Sequence, residues 1–254
     1  MLAFVAHLVV LTVLIWVATT ALYFLGGFVI LAYARRHPER KIQQRADGEA
    51  RAREEIWESL RSIVVTSFCM ALAICLSLFG LTLWSPMEGW IGVLAGAAIL
   101  ILGYDFWFYW AHRLLHTKRL IRFHRWHHRS RAPTVWSTDS QGFVETAMIQ
   151  SWLVLAAVLL PIPPLAFVLH RLYDHINGQL GHCGYEFFAS RSTRAPSPLV
   201  CTTYHDQHHE LYNWNYGNFT SIWDRLGGTL HPDYDRAVAR REDHAEATEK
   251  TPAE

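Results

Sequence analysis

Residues 2–33 form an apolar run interrupted only by threonine, glycine and His7, and a run of that length suffices to cross a bilayer. It lacks the basic leading segment and short apolar stretch of a cleaved signal peptide. Two further runs follow, at about residues 63–84 and 90–110. A fourth apolar stretch, 144–172, is broken by Pro161-Ile162-Pro163-Pro164. Proline removes a backbone donor and clashes with the preceding turn, so this stretch reads as two shorter helices meeting at a bend. Each arm has about the minimal length of a membrane helix and is expected to dip deep rather than cross fully. The fold expected is all-α: an integral, multi-pass membrane bundle of three long transmembrane helices and a proline-broken helical hairpin. A histidine-rich helical cap completes it on one face. Residues 1–61 form the first helix and a polar loop, 62–232 the membrane-embedded catalytic part, and 233–254 a charged tail expected to be disordered.

The basic residues orient this bundle. Arg35, Arg36, Arg40, Lys41, Arg45, Arg51 and Arg53 crowd the first polar loop, and Arg113, Lys118, Arg119, Arg122, Arg125, Arg129 and Arg131 follow the third run. Two crossings separate the segments, so they share a side, and the positive-inside tendency makes it cytoplasmic. Charge alternation from Pro38 to Glu58 predicts an amphipathic helix on the membrane surface. The formal net charge of +1 gives no sign of a nucleic-acid partner. The four cysteines include no C-x-x-C pair, and Cys69 and Cys75 lie in apolar sequence as packing residues.

The chemistry of the chain lies in its histidines. His112 and His116 form HRLLH; His124, His127 and His128 form HRWHH; His182 stands in GHCGY; His205, His208 and His209 form HDQHH. On a helix, positions i, i+3 and i+4 share a face, so each group can aim its imidazoles at one point. Nine such rings exceed what one ion can take, which argues for two. Imidazole suits iron, zinc, copper and nickel, whereas magnesium and calcium prefer oxygen. Zinc usually closes at four ligands, so two irons with open positions fit better, and zinc can occupy the purified protein in their place. His175 lies two turns before His182 and joins the candidate ligands, and Asn177 can reach a metal directly or through water. Asp105, two turns before His112 and inside the membrane run, is a candidate to accept a hydrogen bond from a ligand's second nitrogen. Asp206 and Glu186 are weaker candidates for the same role. His7, His37, His170, His231 and His244 read as background.

The ordered boxes HRLLH, HRWHH, GHCGYE and HDQHH, followed by NYGNFTSIWDRLGGT, resemble the fatty acid hydroxylase superfamily, also called the sterol desaturase family. The resemblance covers about residues 100–230, and DFWFYWAHRLLH carries much of it. It implies a membrane oxygenase whose nine boxed histidines hold a non-haem di-iron centre. Such an enzyme uses O2 and external electrons to hydroxylate or desaturate an unactivated C–H position of a sterol, fatty-acyl or isoprenoid lipid. Of an H-P-x-E element common in the family, only Glu145 of SQGFVE remains. No G-x-G-x-x-G, haem-attachment or iron–sulfur spacing occurs, so electrons are expected from a separate donor of ferredoxin or cytochrome b5 type with its reductase. A bacterial inner membrane is favoured over the endoplasmic reticulum, with the active site cytoplasmic. The competing readings are a zinc-dependent membrane hydrolase or lyase acting on a lipid, a non-enzymatic metal-binding protein, and a haem-binding helical protein.

Overall fold

A computed structural model describes residues 1–45 and 48–249, with side chains described as far as Asp243. Among the described residues the protein is helical, with only two isolated bridges, Lys41–Tyr185 and Leu199–Thr220. The three long apolar helices are α1 (Leu2–Ala34), α2 (Ala52–Leu78) and α3 (Gly89–Leu115). Two shorter helices, α5 (Phe143–Leu159) and α6 (Pro164–His182), form the hairpin, and α4 (Ile121–His124), α7 (Thr202–Leu211), α8 (Ile222–Gly227) and α9 (Tyr234–Glu249) complete the chain.

The long helices are not equivalent. Only 6% of the apolar window of α1 is buried, against 61% for that of α2. Val9, Val13 and Val17 of α1 face outward, which in a bilayer requires no protein cover. Along α2, Ser59, Ser62, Thr66 and Ser67 are buried small residues, the type that lets helices approach closely in lipid. The Ser62 and Thr146 hydroxyls share a hydrogen bond of 2.8 Å across the α2–α5 contact. On α3, Gly103 leaves room for Trp152 of α5; a Cβ there would lie 2.1 Å from the indole. The indole nitrogen donates to the Leu100 carbonyl at 3.1 Å.

The proline bend between α5 and α6 lies deep in the bundle, against the connection between α2 and α3 at its far end. There Leu83 N–H donates to the Val158 carbonyl at 2.9 Å and Met87 N–H to Pro161 at 3.0 Å. The opposite end gathers the two basic segments, as the topology requires. Arg45 donates to the Arg131 carbonyl at 2.8 Å, Arg51 to that of Arg129 at 3.2 Å, and Ser130 to Glu55 at 2.5 Å.

Two local expectations fail. The stretch from Pro38 to Glu58 is not one surface helix: a short 3-10 turn at Pro38–Arg40 is followed by non-helical residues 41–45, a second 3-10 turn spans Gly48–Arg51, and α2 begins only at Ala52. Gln43 and Arg45 from this loop bond Asp206 of α7, so tertiary contacts outweigh charge periodicity. The segment after Asp233 is helical through Glu249, because Tyr234 and Val238 are fully buried beside Cys201 and Tyr204. Residues 250–254 and the side chain of His244 lie outside the described residues.

Candidate metal centre

His112 sits in the last turn of α3, and His116 caps it. His124 ends the one-turn α4, while His127 and His128 belong to a 3-10 turn. His182 closes α6, and His205, His208 and His209 lie on α7. The nine imidazoles meet at the basic end of the bundle in two groups. His112, His116, His124, His128 and His208 form one; His127, His182, His205 and His209 form the other. Within each group the potential ligand atoms lie within 4.8 Å of one another.

The grouping cuts across the sequence boxes. HRWHH sends His124 and His128 to the first group and His127 to the second, and HDQHH sends His208 to the first and His205 and His209 to the second. Adjacent residues on a helical turn project about 100° apart. Each His-His pair therefore spans both groups, where box spacing alone placed each box at a single point.

Ring orientation is fixed from behind. His112 Nδ1 faces the Tyr216 carbonyl at 2.9 Å, His208 Nδ1 that of Trp214 at 2.7 Å, and His124 Nδ1 the Glu145 carboxylate at 2.7 Å. In the second group, Nδ1 of His127, His182 and His209 faces the carbonyls of Ser140, Gly178 and Ser130 at 3.2, 2.7 and 2.9 Å. A carbonyl only accepts, so the proton sits on Nδ1 and each neutral ring presents a bare Nε2 lone pair. Where both rings are set this way their bare nitrogens face one another, His112 to His124 at 3.0 Å in the first group and His182 to His127 at 3.4 Å in the second, and Nε2 of His128 and His205 close on the same groups at 3.1 Å from His208 and 2.9 Å from His182. Facing lone pairs repel unless a cation lies between them. Two nitrogens bound at right angles to one ion at ~2.1 Å are themselves about 3 Å apart. The donor set therefore fits two metal ions.

Burial keeps the rings neutral. Desolvation, then the neighbouring imidazoles, hold His124, His205, His208 and His209 well below the usual histidine range. For His127, burial and then His182 lower the value to about 3.

The other candidates fall elsewhere. His175 lies outside both groups; its Nδ1 is 3.2 Å from Asp139 and 3.1 Å from the Arg171 guanidinium. Two helical turns before His182, it shares that side of α6 but sits deeper in the bundle. Asp105 meets no histidine. It accepts from the Phe219 and Thr220 N–H groups at 2.7 and 3.1 Å, from the Thr220 hydroxyl at 2.5 Å and from Trp223 Nε1 at 3.0 Å. Its carboxylate holds the segment leading away from Tyr216, whose carbonyl orients His112. Asp224, which box spacing does not pick out, accepts from Tyr216 N–H at 2.9 Å and Gly217 N–H at 2.7 Å. The quoted NYGNFTSIWD segment contained it. Asp206 accepts from Arg45 at 2.7 Å, and Glu186 accepts from Thr203 N–H at 2.7 Å, capping the start of α7. The carboxylate behind a ring is Glu145.

A cavity of about 560 Å³ adjoins the groups. His112 and His124 reach its wall from the first group, and His127, His182 and His205 from the second. Tyr104, Phe108, Ile149 and Phe219 line its apolar part, and Asn177 also lies on its wall.

The profile of the fatty acid hydroxylase family matches residues 97–229, a stretch containing all nine imidazoles and Glu145. The chain belongs to the fatty acid hydroxylase family. It is thus an oxidoreductase of that family. It is 28% identical over 221 residues to methylsterol monooxygenase 1 of Rattus norvegicus, a match covering 82% of this chain and 72% of the relative. It is 27% identical over 157 residues to a cholesterol 25-hydroxylase-like protein of Danio rerio, covering 58% and 62% respectively. It is 29% identical over 144 residues to a probable Delta(7)-sterol 5(6)-desaturase of Neurospora crassa, covering 54% of this chain and 39% of the relative. No solved structure matches the chain.

Proposed function

We propose that this protein is a di-iron oxygenase that hydroxylates or desaturates an unactivated C–H position of a membrane lipid, with O2 and external electrons. One observation carries the reading: two groups of imidazoles, six of the nine rings oriented by oxygen acceptors, turn their Nε2 atoms together beside a cavity. His112, His116, His124, His128 and His208 would hold one ion, and His127, His182, His205 and His209 the other. Two reduced irons there would supply, with O2, the oxidising power that an unactivated C–H bond demands.

The chain's own residues do the rest. Glu145 and the carbonyls behind six of the rings fix their tautomer and aim, while burial keeps the rings neutral. Tyr104, Phe108, Ile149 and Phe219 hold an apolar substrate against the histidine wall and exclude water. Asn177, on the same wall, is positioned to touch substrate or a water beside the metals. The relatives named above carry sterol-oxidising names, which favours a lipid of sterol type.

Lys118, Arg119, Arg122, Arg125 and Arg129 are exposed around the histidine end. That surface suits an acidic electron donor of ferredoxin or cytochrome b5 type. The same basic residues support a cytoplasmic active site.

Lipid extracts of cells with and without the chain test the reading. A product one oxygen heavier or two hydrogens lighter than its precursor is expected, dependent on O2 and absent in His182→Ala. A product formed anaerobically by zinc-loaded protein would replace the oxygenase with a hydrolase or lyase.

A further inference from the structure

The cavity contains a second polar constellation that the metal groups do not use. Arg171, in the middle of α6, is 6% exposed and is clamped between two carboxylates. Its guanidinium donates to Asp174 Oδ2 at 3.1 Å and to Asp139 Oδ1 at 3.1 Å. His175 leans on the same cluster through Nδ1. All four side chains are buried, and all four line the cavity that the metal-group histidines also line. Ionisable side chains at membrane depth are costly and mark a functional site by default.

Five buried polar atoms of this wall have no hydrogen-bond partner: the acceptor oxygens Asp139 Oδ2, Glu145 Oε2 and Gln150 Oε1, the donor Arg171 Nε, and His175 Nε2. A buried polar group left without a partner is expensive, which points to a ligand group that supplies one. The cluster sets two carboxyl side chains against one guanidinium, and most of the unpartnered atoms are acceptor oxygens. A carboxylate or phosphate brings further acceptor oxygens to that wall and offers Gln150 Oε1 no proton. A hydroxyl donates and accepts, so it satisfies an amide oxygen and either tautomer of His175.

We propose that the Asp139–Arg171–Asp174–His175 cluster and Gln150 form a subsite for an uncharged hydroxyl group, so that the lipid held in this cavity is an alcohol and not a free fatty acid. This deepens the oxygenase reading and rests on it for the fate of the alcohol, but the binding preference is measurable without metal or turnover. The polar subsite and the histidine wall belong to one cavity. Anchoring the hydroxyl therefore fixes which carbon lies against the histidines.

Native mass spectrometry of the purified, metal-free full chain tests the subsite. The protein is offered equimolar sets sharing a skeleton: cholesterol with cholestane and cholest-4-en-3-one, and octadecanol with octadecane, stearate and octadecylamine. Retention of an alcohol about tenfold or more above its own alkane, ketone, carboxylate and amine counterparts is expected. Gln150→Leu and His175→Leu should each bring that ratio to within about threefold. Both variants should still bind two metals when reconstituted, which separates loss of the subsite from loss of the fold. Equal retention of stearate or an alkane, preference for the amine, or retention of no alcohol would overturn the proposal. Alcohol retention without O2-dependent oxidation would sink the oxygenase reading and leave the subsite standing. Oxidation of a carboxylate lipid without alcohol preference would do the reverse.

Discussion

In the five-histidine group, His124 rests on a carboxylate, Glu145 at 2.7 Å, whereas in the four-histidine group His127, His182 and His209 rest on backbone carbonyls. A carboxylate behind an imidazole raises its basicity and fixes its tautomer more firmly than a carbonyl does. The two groups also differ in exposure to the cavity: three of the four rings reach its wall in the second group, but only two of the five in the first. One group is thus richer in imidazoles and better braced, and the other brings more of its rings to the cavity. On the proposed di-iron reading, the first would hold its ion tightly and the second would present free coordination space.

The harshest tests remove one ring from each group. His208→Ala and His209→Ala alter neighbouring residues on α7, yet they should empty different positions. Each variant should lose O2-dependent activity completely and fall from two iron ions per chain to one, measured by elemental analysis after anaerobic reconstitution. If both variants kept two ions, or both lost two, the division into separate positions would be broken.

A milder test addresses the brace. Glu145→Gln keeps an acceptor behind His124 but removes the charge, so affinity at the five-histidine position should drop about 10–100-fold. Chelator competition should show one ion released early and the other unchanged. Asp105→Asn should have a smaller effect, because Asp105 reaches His112 only through the segment carrying Tyr216. Equal losses in the two variants would mean that the carboxylate behind His124 has no special role.

The sequence made some of this legible and hid the rest for identifiable reasons. Hydropathy locates the three long helices because lipid demands continuous apolar surface, and the proline run locates the hairpin bend. Box spacing picks out the nine imidazoles that the fold gathers. Spacing cannot divide them, since the split depends on the 3-10 turn at His127 and on which face of α7 meets which loop. Asp105 was misplaced because a shared helical face reveals nothing of the distant segment that packs on it. Glu145 stood out only as the remnant of a family element; its pairing with His124 needs α5 to fold back against α4. The helix after Asp233 was hidden because charge dominates its composition, while two buried side chains, Tyr234 and Val238, hold it in place.

The smallest expected effect lies behind the four-histidine group. One buried carboxylate, Glu55 of α2, acts on it at one remove: Ser130 Oγ donates to Glu55 at 2.5 Å, and the Ser130 carbonyl in turn faces His209 Nδ1 at 2.9 Å. In Glu55→Gln an amide oxygen can still accept from Ser130, and the charge it loses is insulated from the ring by a peptide unit. Iron should remain at two per chain, with affinity at the four-histidine position down by less than about tenfold, below the range expected for direct removal of a ligand's partner. The comparison with Glu145→Gln is the informative one, because both variants replace a buried carboxylate with its neutral isostere. Chelator competition run side by side should show Glu145→Gln releasing its ion first by a wide margin. A loss in Glu55→Gln as large as that in Glu145→Gln would show that carboxylate support reaches both positions equally and would remove the asymmetry between them.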